Sequence, residues 1–350
     1  MARPRTATRL ADVAAVAQVS MATASRSLTG RDGVSETVAA RVRQVALDLG
    51  YVANIHARTL AGGATSTVGL IVHEIGDPYF SEIASGVIRV ATERGFTVQI
   101  CHSGRDPRTE LLQIRTLITH RIDAIVIAGS GYTDPTLQAD ADRDLTAFQD
   151  GGGRVAVIGR HFLHADAVLP DNEGAGEAVG RHVLSLGHRR IAVTAGSAHL
   201  TTIGDRLAGI DRALRERGMS LSSLPVVHTT FDRDGGQAAA EQILRDHPGT
   251  TAIIALNDVM AIGVLSTLRR RGVSVPHQMS VAGFDDVAVA ADLAPSLTTV
   301  RLPMTRMGEL ALTMALKPSS ARPRRKTAEH ELMVRDSTGP VPTRRRPGSR

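Results

Sequence analysis

The sequence predicts a small all-α helix-turn-helix domain followed by two doubly wound parallel α/β lobes. Three observations predict it. The first 60 of the 350 residues carry helical periodicity with capping and breaking residues between short segments. After Gly62-Gly63, short apolar runs alternate with helical stretches, the signature of parallel sheets covered on both faces. Apolar residues make up 42% and charged residues 22%, enough apolar material to fill a sizeable core in a chain of ordinary globular composition.

In the N-terminal domain, Leu10, Val13, Ala14 and Ala17 fall on one helical face. Gln18-Val19-Ser20 interrupts it, with Ser20 placed as an N-cap. A second short helix runs from Met21 to Leu28. The segment Thr29–Gly33 is a loop with two glycines. Ser35 then caps a third helix carrying Val38, Val42, Val45, Ala46 and Leu49, stopped by Gly50. Two short helices around a tight turn, followed by a third, make the helix-turn-helix.

Strands are expected at Val68–Val72, Phe96–Cys101, Ala124–Ala128 and Val155–Ile158, separated by helices about 79–93, 108–119 and 137–150. The pattern resumes with strands at Arg190–Thr194, Val226–Thr229, Ala252–Ala255 and Ser280–Gly283. Helices about 173–186, 202–217, 234–245 and 258–270 accompany them. Some ten strands fit two lobes better than one sheet, with the break near 160–170. Ligands of such sheets bind beyond the carboxyl ends of the strands. The residues there include Asp77, Tyr79, Phe80, Ser130, Arg160, Phe231, Asn257, Asp258 and Asp285. Aromatics, carboxylates, an amide and arginines suit a small polar ligand.

Composition narrows the function. Cys101 is the one cysteine, which excludes an internal disulfide framework and a cysteine-rich zinc site. The N-terminus is basic without an uninterrupted apolar core, and no stretch of 18 apolar residues exists, so neither a signal peptide nor a membrane span is expected. The net charge is +4 over residues 1–65, −5 over 66–316 and +7 over 317–350. Basic ends suggest a polyanionic partner. His161-x-x-His164 lacks an evident third metal ligand, and Gly151-Gly152-Gly153 precedes a strand and cannot serve as a phosphate cradle. No GxSxG, Ser-His-Asp order or carboxylate pair marks an enzyme. The arginine run 344–346 reads as a solvated end.

Asp12-Val13-Ala14, Val19-Ser20-Met21-Ala22-Thr23, Ser25-Arg26, Val34-Ser35, Leu49-Gly50-Tyr51 and Asn54 stand in an order and spacing that resemble the DNA-binding domain of the LacI/GalR family of bacterial transcription regulators. The resemblance continues through Asp77-Pro78-Tyr79-Phe80, Asp171-Asn172, Leu186-Gly187-His188, Arg206-Leu207-Ala208-Gly209, Asn257-Asp258 and Gly283-Phe284-Asp285-Asp286. It implies a headpiece over 1–53, a hinge helix and linker over 54–65, and a periplasmic-binding-protein-like effector and dimerisation domain over 66–338. In that domain lobe 1 would comprise about 66–169 and 301–322, and lobe 2 about 170–297 and 326–338, leaving a basic tail over 339–350. Three positions depart from the family: Arg9 stands for the usual Thr cap, where Thr8 could serve if the helix starts earlier; Gln18 stands for the turn Gly and must carry a positive φ, or else the turn differs slightly; Ala53 stands for the usual Pro.

A recognition helix presents its first residues to base edges in the major groove. Met21 and Ala22 can sense thymine methyls or shape, and Arg26 is the one long donor at the right phase for guanine. Ser20, Thr23 and Ser25 are expected on phosphates, or, for Ser20, as a cap alone. Hinge residues Asn54, Ala57, Arg58 and Leu60 would lie along the minor groove, with Leu60 as a wedge. The resemblance points to Tyr79, Phe80, Arg206, Phe231 and Asp258 for the effector, with Asn257 between them in sequence terms; Asp285 could only shape its turn, and Arg160 could reach the cleft or a surface acid. The function implied is a cytoplasmic, ligand-responsive repressor acting as a homodimer on double-stranded operator DNA. Its small-molecule effector is first a sugar or derivative and second a purine or nucleoside. No cofactor, metal, catalytic residue or membrane partner is expected. The competing readings are a solute-binding protein without DNA function and an enzyme on a doubly wound scaffold.

Overall fold

A computed structural model describes residues 8–29, 33–49, 51, 66–318, 320 and 322–341. Contacts within the chain divide it into two units, Met1–Ser66 and Thr67–Arg350. The hinge residues Asn54, Ala57, Arg58 and Leu60 and the arginine run 344–346 lie outside the described residues.

The first unit holds three helices: α1 (Leu10–Val16), α2 (Met21–Thr29) and α3 (Glu36–Asp48). Val13, Ala14, Ala17, Ala24, Val42 and Ala46 form its core, flanked by Leu10, Val19, Leu28 and Tyr51. Small residues let the three short helices approach closely. Gln18 carries φ +52, as its place in the turn demands. Its N–H bonds Ala15 O and that of Val19 bonds Ala14 O, which satisfies carbonyls at the end of α1. A non-glycine residue in this conformation costs about 1 kcal/mol. At the other end of α1, Asp12 accepts from the backbone N–H of Arg9 at 2.8 Å. Thr8 does not cap; its hydroxyl donates to Leu49 O at 3.0 Å, tying the entry of α1 to the exit of α3. Ser35 occupies the N-cap of α3 without a side-chain cap bond.

The second unit contains two parallel sheets. The first has the order β11-β5-β4-β3-β1-β2, built from β1 (Thr67–Val72), β2 (Thr97–His102), β3 (Ala124–Ala128), β4 (Arg154–Ile158), β5 (Asp166–Pro170) and β11 (Arg325–Ala328). Helices α4 (Pro78–Glu93) and α11 (Met304–Ala315) cover one face; α5 (Pro107–Thr119) and α6 (Ala139–Asp150) cover the other. Leu70, Val126 and Ile158 point to the first face, and Ile71, Ile125 and Val157 to the second, following the period of two.

The second sheet has the order β7-β6-β8-β9, from β6 (Ile191–Ala195), β7 (Val226–His228), β8 (Ala252–Ala255) and β9 (Ser280–Ala282). It lies between α7 (Asn172–Ser185) with α8 (Thr201–Arg215), and α9 (Arg233–Asp246) with α10 (Asp258–Arg270). Every strand and helix expected in these lobes is present within two residues at each end.

The chain passes between the lobes three times: at β5 to α7, at β10 (Thr299–Arg301), and at β12 (Glu331–Met333), which pairs antiparallel with β10. Arg301 binds Asp286 at 2.8 Å and Glu331 at 3.0 Å across this pair. Residues 326–338 were assigned to the second lobe from sequence, and this is corrected in part. Arg325–Ala328 pairs with β5 and extends the first sheet, and only the chain after it reaches the second lobe. Among the described residues no helix is long and apolar enough to cross a membrane.

Candidate functional site

On the headpiece, α2 docks through Ala24, Ser27 and Leu28. That leaves Met21, Ala22 and Arg26 exposed, with Ser25 half-buried beside them. Ser20 does cap: its Oγ accepts from Thr23 N at 3.1 Å and meets Thr23 Oγ1 at 2.9 Å. Arg26 Nε donates to Ala22 O at 3.3 Å, so the guanidinium stem lies along the exposed face. The six positions named from sequence therefore occupy the first two turns of one helix, with an apolar pair and one long cation outermost.

In the second unit a cleft between the lobes is lined by His73, Asp77, Tyr79, Phe80, Arg105 and Ser130 from the first lobe. Arg206, Phe231, Asn257 and Asp285 face them from the second. The lobes leave a cavity of about 40 Å³ between them, far below the roughly 300 Å³ of an ordinary ligand pocket.

Arg206, 3% exposed, is held from every side. Its Nε donates to Asn172 Oδ1 at 2.9 Å, its Nη1 to Leu256 O and its Nη2 to Asp285 Oδ1 at 2.9 Å. The guanidinium stacks 4.6 Å from the Phe284 ring centre. A guanidinium has five N–H groups, so two are left without a hydrogen bond among the described residues. Burial pushes the Asp285 carboxyl up, and the Arg206 charge opposes that. Asp285 has φ +107, so it also shapes its turn.

Across the cleft, Asp77 caps α4 through Tyr79 N at 3.1 Å. Burial first and the Asp285 charge second push its carboxyl up to about 6. Arg105 stands 3.7 Å from Asp77, with its guanidinium 6.0 Å from the Phe80 ring centre and 5.5 Å from that of Phe231. One cation thus bridges an aromatic of each lobe. His73 is buried and held down to about 3 by desolvation. Its Nε2–H donates to Ser130 O at 2.8 Å, since a carbonyl only accepts, and Nδ1 meets Ser103 Oγ at 2.9 Å. The loop beside it needs glycine: Gly159 has φ +109, and a Cβ there would lie 2.1 Å from Gly129 O.

Tyr79, Phe80, Arg206, Phe231, Asn257 and Asp285 thus meet in one cleft. Two other expectations are corrected. Arg160 does not line the cleft; it pairs with Asp205 at 2.6 Å on the surface. Asp258 is fully buried beneath the cleft, where Oδ1 accepts from Thr299 Oγ1 at 2.6 Å and Oδ2 from Val287 N at 3.0 Å. Burial holds its carboxyl well above the usual range. Asn257, one residue earlier, faces the cleft and caps α10 through Met260 N at 2.9 Å. His73 and Arg105 were not singled out from sequence. Applying the strand-end rule to β2 would have found Arg105, three residues past its end.

Behind the cleft, Glu110 is 1% exposed and pushed up to about 7 by burial. Gln138 Nε2 donates to its Oε1 at 3.3 Å, while Oε2 has no partner among the described residues. The folded chain therefore keeps a proton that the unfolded chain loses above about pH 4.5, and stability falls as pH rises from there through about 7. Glu110→Gln is expected to remove this slope. Relative to the parent it should gain on the order of 3 kcal/mol at pH 8 compared with pH 4, read by urea unfolding at both. Parallel pH profiles would exclude a buried ionisation here.

Residues 9–54 match the family described as bacterial regulatory proteins, lacI family, and residues 181–338 match a periplasmic binding protein-like domain. The chain is 32% identical to the HTH-type transcriptional regulator DegA of Bacillus subtilis (strain 168) over 343 residues, covering 96% of this chain and 99% of that one. It is 29% identical to the HTH-type transcriptional repressor PurR of Vibrio cholerae (strain M66-2), covering 92% and 93%. The solved transcriptional regulator CelR–cellobiose complex superposes with a TM-score of 0.69 at 29% identity, covering 94% of this chain and 99% of that one.

Proposed function

The chain belongs to the LacI family of transcriptional regulators, and from that premise we propose that it is a homodimeric repressor whose hold on operator DNA is set by a small polar ligand in the interlobe cleft. One observation carries the ligand half of the reading: charged groups of both lobes, Asp77 and Arg105 from one and Arg206 and Asp285 from the other, converge between two phenylalanines. A polyol placed there bridges the lobes, so its binding energy acts on the angle between them. Carboxylates and guanidinium forks match paired hydroxyls, and a flat aromatic face matches a sugar ring, which favours a sugar or sugar derivative. The similar CelR structure holds cellobiose. Phe80 and Phe231 also offer faces to a purine, which makes a purine or nucleoside the second candidate.

The DNA half rests on α2, whose exposed Met21, Ala22 and Arg26 form a groove-reading face. One such helix reads few bases, so two copies on a near-palindromic site supply useful specificity. Apolar side chains stand ready for a second copy: Ile88 and Ile100 are exposed on α4 and the edge strand β2, Val289 is exposed, and Ile262 and Leu265 of α10 are half-buried. The protein would act in the cytoplasm, on the DNA it regulates.

The test is a gel shift with the protein's own upstream DNA, repeated over a salt series and with a thermal-shift panel of sugars, nucleosides and purines. Binding should weaken by more than four log units per tenfold rise in salt, at about 0.9 per neutralised phosphate. Arg26→Ala should relax preference at one base pair of each half-site. A flat salt response defeats the DNA-binding reading; a uniform loss across operator variants makes Arg26 a phosphate contact.

A further inference from the structure

Ion pairing in the second unit is uneven. Arginines of its helices and of the cleft are mostly matched to carboxylates, from Arg115 with Asp144 to Arg271 with Glu241. Pairing fails at the strand-start end of each sheet: in the second lobe exposed Arg189, Arg190, Arg217, Arg269 and Arg270 form no ion pair among the described residues, and in the first lobe the unpaired set surrounds the point where the chain enters the sheet. Arg94 precedes β2, Arg121 precedes β3, Arg154 opens β4, Lys317 follows α11 and Arg322 leads into β11. All five are exposed, and none forms an ion pair among the described residues. Arg154 and Lys317 line one cavity of about 280 Å³ together with Arg324, whose own charge is spent on Asp166 at 2.6 Å.

Their common location follows from topology. In a parallel sheet all strands start at one end, and each covering helix ends there. The registers Val68↔Ala124 and Ala124↔Arg154 put the starts of β1, β3 and β4 on nearly one level. The cations therefore straddle Thr67, where the chain arrives from the headpiece, with Arg121, Arg154 and Arg322 on one side and Arg94 on the other. Acids at this end do not neutralise them. Asp123 is turned inward on Thr67 N at 2.8 Å and Asp166 is taken by Arg324, which leaves exposed Glu93 and Asp150. The cleft lies at the opposite, carboxyl end, so effector binding does not use these residues.

We propose that this basic end of the first lobe is a second DNA contact, holding the phosphates of duplex that flanks the bases read by α2. The proposal rests on the DNA-binding reading above. Five unneutralised cations on one end of a lobe suit a polyanion, and base-independent phosphate contact needs no fixed geometry. Chain connectivity selects DNA. Residues 52–66 join the headpiece to this end of the lobe, and a span of that length reaches at most about 50 Å, so a duplex held by the headpiece is kept near the cations. In a dimer the patch occurs twice, on both flanks of the operator.

The experiment uses full-length protein and two duplexes sharing one operator, a short one of about 20 base pairs and one extended by about 20 on each side. The parent should bind the long duplex at least tenfold more tightly at low salt, with a salt slope steeper by about two or more. The fourfold variant R121Q/R154Q/K317Q/R322Q should bind the short duplex as the parent does and lose the advantage of the long one. The substituted side chains are exposed and unpaired, and an unchanged melting temperature verifies the fold. A variant with the parent's advantage and slope on the long duplex overturns the proposal, as does equal weakening on both duplexes. If the parent binds neither duplex, the DNA-binding reading fails instead, and the two failures are distinct.

Discussion

Arg206→Ala is expected to lower the unfolding free energy by about 3–5 kcal/mol, because it strands the Asp285 carboxylate in a site that is 4% exposed. The guanidinium also satisfies Asn172 Oδ1 and Leu256 O, and its removal leaves both acceptors buried without it. Adding Asp285→Asn to the alanine variant should recover part of the loss, because the uncompensated charge is then gone. The two changes should be strongly non-additive in urea unfolding. Effector affinity should fall at least tenfold in the alanine variant, while operator binding without effector persists. Repression then no longer answers to the ligand. A stable Arg206→Ala protein with a normal effector response would remove this residue from the cleft chemistry.

Asp258→Ala is expected to cost about 2–4 kcal/mol by a different route. It deprives Val287 N and Thr299 Oγ1 of their acceptor and opens a small void below the cleft. Asp258→Asn should be close to neutral, since an amide oxygen can accept from Val287 N and the amide nitrogen can donate to Thr299. It also escapes the cost of burying a carboxylate, so its advantage over the parent should grow as pH rises. Effector affinity should be unchanged in the asparagine variant. A tenfold loss of effector binding in Asp258→Asn at native stability would return this residue to the ligand.

The contrast between these residues shows what the sequence could and could not reveal. Asp258 stands where a strand hands over to a helix and Arg206 in the second turn of one, positions that fix a backbone location and leave the side-chain direction open. Asn257 and Asp258 are neighbours, yet one turns to the cleft and the other under it, because the first residues of α10 present successive side chains to different sides. Apolar strands such as Ala124–Ala128 were legible because every residue is buried. Arg325–Ala328 was not, because three of its four residues are exposed at a sheet edge and the strand is set by pairing with β5. Arg160 was ambiguous for the same reason as Asp258: only the structure places Asp205 within reach. Gln18 shows the opposite case. The turn it sits in required a positive φ whatever residue stood there, and the backbone obeys the turn.

The three passages of chain between the lobes have a mechanical consequence. One connection would let the lobes swivel, and two would let them twist about a line. Three side by side, with β10 and β12 bonded to each other and Arg301 clamped between Asp286 and Glu331, form a flexure that is stiff to sliding and torsion and soft to one bend. A ligand of any shape that closes the cleft is therefore converted into motion along a single coordinate. On the proposed reading, the regulator would measure how far its lobes have bent, and different molecules that produce the same bend would carry the same message.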